Sequence, residues 1–186
     1  VEPAWVASCG PDFAPEIPPF ITLYDVVRDV MVNGKKKPLE EKPKGLLSFR
    51  EEIYPFFHRL GLMEWTSAAS YLREGWLPTE EFLNESFIER LADPSASNKQ
   101  LREKVFKHVR GPEDFKFYET EERFDENIKY KIPYMLGSGV NYDFSPAHWF
   151  TMPALQYWIL EQWRDGNFVN DYNMESKVDE TRSFDD

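Results

Sequence analysis

An apolar stripe at helical spacing follows Thr22 and comprises Leu23, Val26, Val27 and Val30. Asp25 lies three residues after Thr22, which is the spacing of a reciprocal capping box. Asn33-Gly34 then offers a helix end. The pattern predicts a helix with one apolar stripe. A buried strand stays open as the alternative, because valine dominates the stripe.

The segment from Ser48 to Leu62 also has helical periodicity, but Pro55 interrupts it. Ser48 and Glu51 match a second capping box. Proline removes a backbone donor from a helix interior but suits the first turn, so we expect the main helix to begin near Pro55. The face predicted to be buried consists of Ile53, Phe57 and Leu60.

Two more helices are predicted between residues 79 and 111. Thr79 is the predicted N-cap of the first helix, and Asp93-Pro94 is its end. Asn98 is the predicted N-cap of the second, which Gly111-Pro112 ends. The predicted inward-facing residues are Leu83, Phe87, Ile88 and Leu91 in the first helix and Leu101, Val105 and Val109 in the second.

The last predicted helix begins at Thr151 as the N-cap and ends at Gly166. Its apolar residues Leu155, Ile159 and Trp163 recur at i, i+4 and i+8. An aromatic stripe at this spacing is typical of a buried face. Core packing is therefore favoured over ligand stacking for the tryptophans of this region, which are Trp149, Trp158 and Trp163.

The remaining segments are long and irregular. Residues 1–21 are rich in proline and are expected to form an extended segment laid across a larger body. Residues 113–147 are dense in aromatic side chains and should pack on another surface. The predicted fold is mainly α with long ordered aromatic-rich loops. Residues 1–172 are predicted to form one globular portion, and residues 173–186 an acidic, poorly ordered tail.

Charge and composition argue against several classes of function and site. The chain has 186 residues and a formal net charge of −11, so nucleic acid is excluded as the expected partner because phosphates require a basic surface. No apolar run approaches the roughly 18 residues of a membrane span. With Cys9 as the single cysteine, neither an internal disulfide nor a cysteine-based zinc site is expected. The compartment stays unassigned, with a secreted or periplasmic location open.

Candidate chemistry is sparse in the sequence. His58, His108 and His148 lie far apart and make no HxxH or HxxxH pattern, so no metal site is predicted. A charged His108 near a helix C-terminus would interact well with the helix dipole, and that role is favoured over metal binding. Cys9 has no neighbouring histidine or lysine in sequence to lower its pKa, so an inert buried thiol is favoured over a nucleophile.

Four stretches, in collinear order, resemble a known enzyme family. They are "CGPDFAPEIPPFITLYDVV", "EEIYPFFHRLGLMEWTS", "IPYMLGSGVNY" and "MPALQYWILEQWRDGNFVND". Together they look like the quinoprotein amino-acid oxidases that carry cysteine tryptophylquinone, the group of lysine ε-oxidase and glycine oxidase. The last stretch is similar to that family's Gln-Trp-x-x-Gly-x-Phe helix end. The resemblance spans nearly the whole chain.

The resemblance implies oxidative deamination of a primary amine of an amino-acid substrate, with O2 converted to hydrogen peroxide and ammonia released. In the family, the quinone forms from a cysteine in a Cys-(Val/Ile)-Gly-Gly-Pro motif and a distant tryptophan, both after the last helix. This sequence ends at Asp186 without either. The chain therefore resembles only a middle portion, and we expect a processed chain whose cofactor lies on another polypeptide or on a downstream portion.

No catalytic or cofactor-binding residue of the family can be transferred to this chain. The candidates for lining the approach to the substrate are Tyr134, Tyr142 and His148, with ordinary core packing as the favoured alternative for each. The resemblance further implies an oligomer and a larger α+β fold completed by the remaining polypeptide of the same enzyme. The alternative is a non-catalytic subunit or interaction module that packs through its aromatic surface.

Overall fold

The computed structural model describes residues 19–34, 42–63, 79–114, 131–132 and 150–173. Helices account for 64% of these residues, which confirms the prediction of a mainly α fold. The irregular segments predicted to be ordered and aromatic-rich lie almost wholly outside the described residues, as does the acidic tail after residue 173. Within the described ranges, no helix is both long enough and apolar enough to cross a membrane.

Five α-helices and one pair of short strands make up the described part of the chain. The helices are α1 (Leu23–Asn33), α2 (Tyr54–Leu62), α3 (Glu85–Leu91), α4 (Lys99–Lys107) and α5 (Ala154–Asp165). The strands are β1 (Leu47–Ser48) and β2 (Phe168–Val169), which pair in parallel. A π-helical segment precedes α2 at Phe49–Ile53, and short 3-10 turns occupy Thr79–Leu83, Ala96–Asn98 and Pro112–Asp114.

Helix α1 begins as predicted, but its apolar stripe faces outward. Thr22 Oγ1 accepts a hydrogen bond from Asp25 N at 3.2 Å, and Asp25 Oδ2 accepts from Thr22 N at 2.8 Å, so the capping box is complete and the strand alternative is wrong. Leu23 is 78% exposed and Val30 is 60% exposed. The stripe therefore lies outside the buried core. The spacing of the apolar residues predicts a helix, but it does not show whether other residues cover the apolar face.

Helix α2 begins where Pro55 predicts. Pro55 lies in its first turn, and Ser48 Oγ accepts from Glu51 N at 2.9 Å before the π-helical segment. The three residues of the predicted inward face, Ile53, Phe57 and Leu60, are all buried. The proline and the cap thus fix the start of the helix at Tyr54, with the π-helical segment between them.

Helix α3 begins later than predicted. Residues Thr79–Leu83 form a 3-10 turn, and the N-cap is Asn84, whose side chain accepts from Ser86 N at 3.0 Å. The prediction of Thr79 as the helix cap is therefore wrong. The break at Asn84 rotates the preceding residues, so that Phe82 is 1% exposed while Leu83 is 41% exposed. The other predicted inward residues of this helix, Phe87, Ile88 and Leu91, are buried.

Helix α4 contributes a buried arginine that joins the ends of two other helices. Arg102 is 1% exposed. Its guanidinium donates to the backbone carbonyls of Asp93, Pro94, Ser95 and Arg164. The first three follow α3, and Arg164 lies in the last turn of α5. Because a guanidinium presents five donors in a fixed fork, one side chain bonds to four carbonyls from two parts of the chain.

Helix α5 begins at Ala154, and the predicted cap Thr151 lies three residues earlier. The Leu155 amide in its first turn donates to Asp29 Oδ1 at 2.7 Å. Asp29 belongs to α1, so the N-terminus of α5 is capped by a carboxylate from another helix. The predicted end is confirmed, since Gly166 closes the helix at φ 84° in the left-handed region.

The core surrounds Trp163. Its side chain is fully buried, and Nε1 donates to the Leu91 carbonyl at 2.9 Å. Its ring lies 4.8 Å from that of Phe57, which stacks on Phe82 at 5.2 Å. This confirms that Trp163 is a packing residue. The buried apolar cluster also includes Phe20, Leu47, Phe49, Phe56, Leu60, Leu91, Val105, Met152, Leu160 and Phe168.

The strand pair joins the segment just before α2 to the segment just after α5. Leu47 pairs with Phe168, and Ser48 pairs with Val169. Asp171 strengthens this contact, because its carboxylate accepts from Ser48 Oγ at 2.6 Å and from Arg50 N at 2.9 Å. The residues after α5 are therefore tied to those before α2.

Candidate functional site

None of the residues predicted to line a substrate approach belongs to the described part of the chain. Tyr134, Tyr142 and His148 all lie outside it, as does Cys9. Their assignment stays a prediction. The structure instead draws attention to a different set of residues, contributed by α1, α2 and α5.

These helices enclose a pocket of about 290 Å³ that opens to solvent. This volume lies near the lower end of the range of about 300–1,000 Å³ typical of small-molecule sites. The start of α1 forms one wall, the π-helical segment and the first turns of α2 form the second, and α5 forms the third. The lining residues are Thr22, Tyr24, Asp25, Arg28, Glu51, Glu52, Pro55, Arg59, Leu155, Gln156 and Ile159.

The first charged pair of the pocket joins α1 to α2. Arg59 Nη1 donates to Asp25 Oδ2 at 2.6 Å, and the two side chains are only 10% and 16% exposed. Arg59 Nε also donates to the Pro55 carbonyl at 3.0 Å. The hydrogen bonds to Asp25 converge on Oδ2, which also accepts from both the amide and the hydroxyl of Thr22. The α1 capping box and the ion pair therefore share one carboxylate oxygen.

The second charged pair joins α1 to the π-helical segment. Arg28 donates through both terminal nitrogens to Glu52, at 2.6 and 3.0 Å. Bidentate geometry of this kind fixes the orientation of both side chains. The π-helical segment also places Glu51 beside the pocket, where its side chain is 70% exposed and 3.7 Å from Arg50 Nε. Short π-helical stretches occur frequently at functional sites.

Gln156 differs from the other polar residues of the pocket. It is only 7% exposed, and its carbonyl oxygen Oε1 accepts no hydrogen bond. A buried acceptor without a donor costs roughly 1–3 kcal/mol. Nearly all buried polar atoms in folded proteins have a partner, so such an acceptor requires an explanation. Gln156 is among the residues that line the pocket, although Oε1 itself is shielded from solvent.

Hydrogen bonds keep Asp25 ionised. Burial acts to raise the pKa of this carboxyl, but the hydrogen bonds from Arg59 and Thr22 outweigh burial and lower the pKa below its ordinary value of 3.8. The pocket therefore holds two carboxylates that are already paired with arginines. Their charges cancel those of Arg28 and Arg59, and the third carboxylate of the lining, that of Glu51, lies 3.7 Å from Arg50 Nε.

Among the described residues, the tryptophans and histidines singled out in the sequence are not part of the pocket lining. Trp163 is fully buried, and its Nε1 donates to the Leu91 carbonyl. Trp158 lies under the ammonium of Lys42 at 5.1 Å. His108 is the C-cap of α4, so the helix ends three residues before the predicted Gly111-Pro112. Burial and the neighbouring lysines lower the pKa of His108, which disfavours the charged imidazole that the helix dipole would stabilise.

The described residues do not gather the ligands of a metal site. Among them, no group of three or more histidine, cysteine, aspartate or glutamate side chains could hold a metal ion. Asp25 and Glu52 of the pocket are instead paired with Arg59 and Arg28.

Sequence reasoning missed this pocket because its residues come from three separate segments. Asp25 was recognised as a cap, and Arg28 and Arg59 were not singled out. Gln156 lies within the "LQYWILEQW" helix, where the aromatic residues dominate the pattern. One signal was available: a glutamine directly after Leu155 on the apolar side of the helix is an unusual choice for a buried position.

No protein-family model matches the chain, and no curated protein matches it significantly.

Proposed function

We propose that this chain is one portion of a quinoprotein amino-acid oxidase, whose cysteine tryptophylquinone is carried by another polypeptide or by a downstream portion. The reaction consumes a primary amine, O2 and water, and yields a carbonyl product, ammonia and hydrogen peroxide. The observation that carries the proposal is the collinear order of the four sequence stretches that resemble this family. The quinone, when present, supplies the oxidative chemistry, and this chain supplies packing and positioning.

The structural roles of the motif residues support the proposal. In the stretch that resembles the Gln-Trp-x-x-Gly-x-Phe helix end, Trp163 is buried in the core and Gly166 adopts a left-handed conformation. A Cβ at Gly166 would lie 2.9 Å from the Pro94 carbonyl oxygen, so this position also requires the absence of a side chain. Phe168 is buried in the strand pair. The motif thus has the character of a scaffold, in keeping with a portion that supports a cofactor held elsewhere.

The outward stripe of α1 supports the presence of a further polypeptide. Leu23, Val26, Val27 and Val30 are 45–78% exposed and neighbour one another on the helix. Contiguous exposed apolar surface is uncommon on monomeric proteins and marks contact with another chain or segment. The remaining polypeptide of the same enzyme, which the resemblance implies, is the partner we propose.

The alternative of an interaction module that packs through an aromatic surface receives less support. In the described part of the chain, the large aromatic side chains are mostly buried against one another, as Phe57, Phe82 and Trp163 are. The exposed large apolar residues of that part are mainly aliphatic, with Tyr24 as the aromatic exception. Among the described residues, the exposed aromatic surface is too small to serve as such an interface.

The proposal is tested by a quinone stain and a peroxide assay on the material that copurifies with this chain from its natural source. We expect a quinone-positive polypeptide that carries a Cys-x-Gly-Gly-Pro motif, and peroxide release with at least one amino acid. This 186-residue portion itself should not stain. Absence of both the quinone and the peroxide across the twenty common amino acids would overturn the proposal. A stain on this portion would overturn the placement of the cofactor elsewhere.

A further inference from the structure

We infer that Asn33, the last residue of α1, is a site of spontaneous deamidation, and that this modification weakens the contact between α1 and α5. The inference does not rest on the oxidase proposal, because the reaction requires only water and two described residues. Its starting point is the pair Asn33-Gly34, which ends α1 and is the one Asn-Gly pair of the sequence.

This pair supplies both reacting atoms. The backbone nitrogen of Gly34 attacks Cγ of the Asn33 side chain, and a C–N bond closes a succinimide ring. The Cγ–Nδ2 bond breaks, and the amide group leaves as ammonia with the proton that the Gly34 nitrogen gives up. Water then opens the ring at either carbonyl and yields aspartate or isoaspartate. Glycine favours the attack because it carries no side chain beside its nitrogen, and such chemistry makes asparagine a thermolabile residue.

The structure places this pair at an exposed helix end. Asn33 is exposed, and the backbone leaves the helical region at Gly34, with φ −55° and ψ 134°. Helix ends open locally at a lower cost in free energy than helix interiors do. The backbone at Asn33 therefore reaches the geometry of ring closure more easily than that of an asparagine inside a helix.

The pair Asp165-Gly166 at the end of α5 has the same spacing but a different chemistry. The Asp165 carboxylate accepts from Arg164 Nε at 2.8 Å and from Arg164 Nη2 at 2.9 Å. An ionised carboxylate is a poor electrophile, because the attacking nitrogen meets a negative charge. The neutral side-chain amide of Asn33 does not present this barrier, so Asn33 is the reactive position of the two.

The Asn33 side chain orients the carboxylate that caps α5. Asn33 Nδ2 donates to Asp29 Oδ1 at 3.0 Å, and the same oxygen accepts from the Leu155 amide at 2.7 Å. Deamidation replaces this donor by a carboxylate four residues from Asp29, a spacing at which like charges repel. The last turn of α1 contains no basic residue, so the new negative charge also opposes the helix dipole. Asp29 therefore loses an orienting partner and holds the Leu155 amide less firmly.

The site is tested by incubating the purified full chain between pH 7 and pH 9 and then mapping its peptides by mass, with an isoaspartate assay alongside. We expect Asn33 to deamidate much faster than Asn98, at a rate that rises with pH because base removes the Gly34 proton. Asn98 is the internal control, since its Nδ2 also donates to a carboxylate, at 2.6 Å from Asp93 Oδ2, but Lys99 follows it. Equal rates at Asn33 and Asn98 would overturn the assignment.

The variant Gly34→Ala tests the role of the glycine. Its φ of −55° is open to every residue, so alanine fits without strain. Deamidation at Asn33 should slow at least tenfold in this variant, because the added methyl group hinders the attacking nitrogen. An unchanged rate would contradict the succinimide route.

The variant Asn33→Asp introduces the product charge directly and tests the consequence for α5. We expect the Leu155 amide to exchange hydrogen severalfold faster in Asn33→Asp than in the original chain. Asn98→Asp places the same charge beside Asp93 and should leave the exchange of Leu155 unchanged. Unchanged exchange in Asn33→Asp would overturn the proposed weakening, and equally faster exchange in both variants would attribute it to net charge instead.

Discussion

Helices α1 and α5 carry apolar stripes of the same periodicity, yet one stripe is exposed and the other is buried. On α5, Leu155, Ile159 and Trp163 are at most 5% exposed. On α1, the residues Leu23 and Val30 are more than half exposed. The two helices nevertheless contact each other, through the bond from the Leu155 amide to Asp29. Helix α1 is therefore held by its polar residues together with the buried Val32, whereas α5 is held by its apolar stripe.

This difference indicates that the two helices are stabilised by different kinds of interaction. The α5 side depends on the close packing of rings around Trp163, where removed volume leaves a cavity. The α1 side depends on the carboxylates of Asp25 and Asp29, which bond to α2 and α5 respectively. Substitutions should therefore have opposite consequences on the two helices. Apolar truncations should be severe on α5 and mild on α1.

The largest effect is expected for Trp163→Ala. The change empties the centre of the core and leaves the Leu91 carbonyl without its donor, so the free energy of unfolding should fall by about 3–5 kcal/mol. Urea denaturation followed by fluorescence of the remaining tryptophans measures this loss. Trp163→Phe should lose less, since most of the volume is kept. A loss below about 1 kcal/mol for Trp163→Ala would contradict the conclusion that α5 is stabilised by close packing around Trp163.

The second-largest loss of stability is expected for Asp25→Asn, and its size depends on pH. The pKa of Asp25 in the folded chain is lowered below its ordinary value of 3.8, so its stabilising contribution is complete above that pH. The contribution is lost as the pH falls through the lower folded-state pKa. At pH 7 the variant should be less stable by about 1.5 kcal/mol, because Arg59 keeps its charge without a carboxylate.

This pH dependence is measured by chemical denaturation of both proteins from pH 7 to pH 2.5. The difference in free energy of unfolding between wild type and Asp25→Asn should shrink as the solution is acidified. Glu103→Gln, an exposed position that pairs with Lys99, serves as the control and should show a small difference. A difference for Asp25→Asn that stays constant down to pH 2.5 would show that Asp25 is not the titrating group.

A smaller effect is expected for Asp29→Ala. The substitution removes the acceptor for the Leu155 amide at the start of α5, and losing a cap costs about 1 kcal/mol. Asp29→Asn keeps an acceptor oxygen and should recover most of this stability. Hydrogen exchange of the Leu155 amide provides a local readout, with faster exchange expected in Asp29→Ala alone. Equal protection in the two variants would contradict capping by α1.

The smallest effect is expected for Val27→Ser on the outward face of α1. Val27 is 48% exposed, so the free energy of unfolding of the chain should change by less than about 0.5 kcal/mol. The same substitution at the buried Val105 of α4 should cost several times more. In the presence of the partner polypeptide proposed above, Val27→Ser should weaken association, which is measurable by copurification. A large intrinsic destabilisation would mean that the face is covered within the chain itself.

Local signals in the sequence predicted much of the fold. Pro55 and Gly166 act through backbone geometry that is independent of distant contacts, so the start of α2 and the end of α5 were correctly placed. Thr22 and Asp25 identified the start of α1 in the same way. Signals that operate within one turn of a helix could be interpreted directly from the sequence.

Features that depend on distant residues could not be predicted in this way. The cap of α5 comes from Asp29, 126 residues before its partner, and no local pattern indicates such a bond. The outward orientation of the α1 stripe depends on which surfaces the rest of the fold supplies. The pocket requires three helices to meet, so Gln156 became notable only when its surroundings were known.

The long separation between α1 and α5 also has a consequence for synthesis on the ribosome. Chains elongate at about 5–20 residues per second, so roughly 6–25 s pass between the synthesis of Asp29 and that of Leu155. During that interval Phe49, Phe56 and Phe57 lack the cover of α5, although all are fully buried in the finished fold. The nascent chain should therefore be a client for chaperones that bind aromatic segments, released only when the last helix emerges from the exit tunnel.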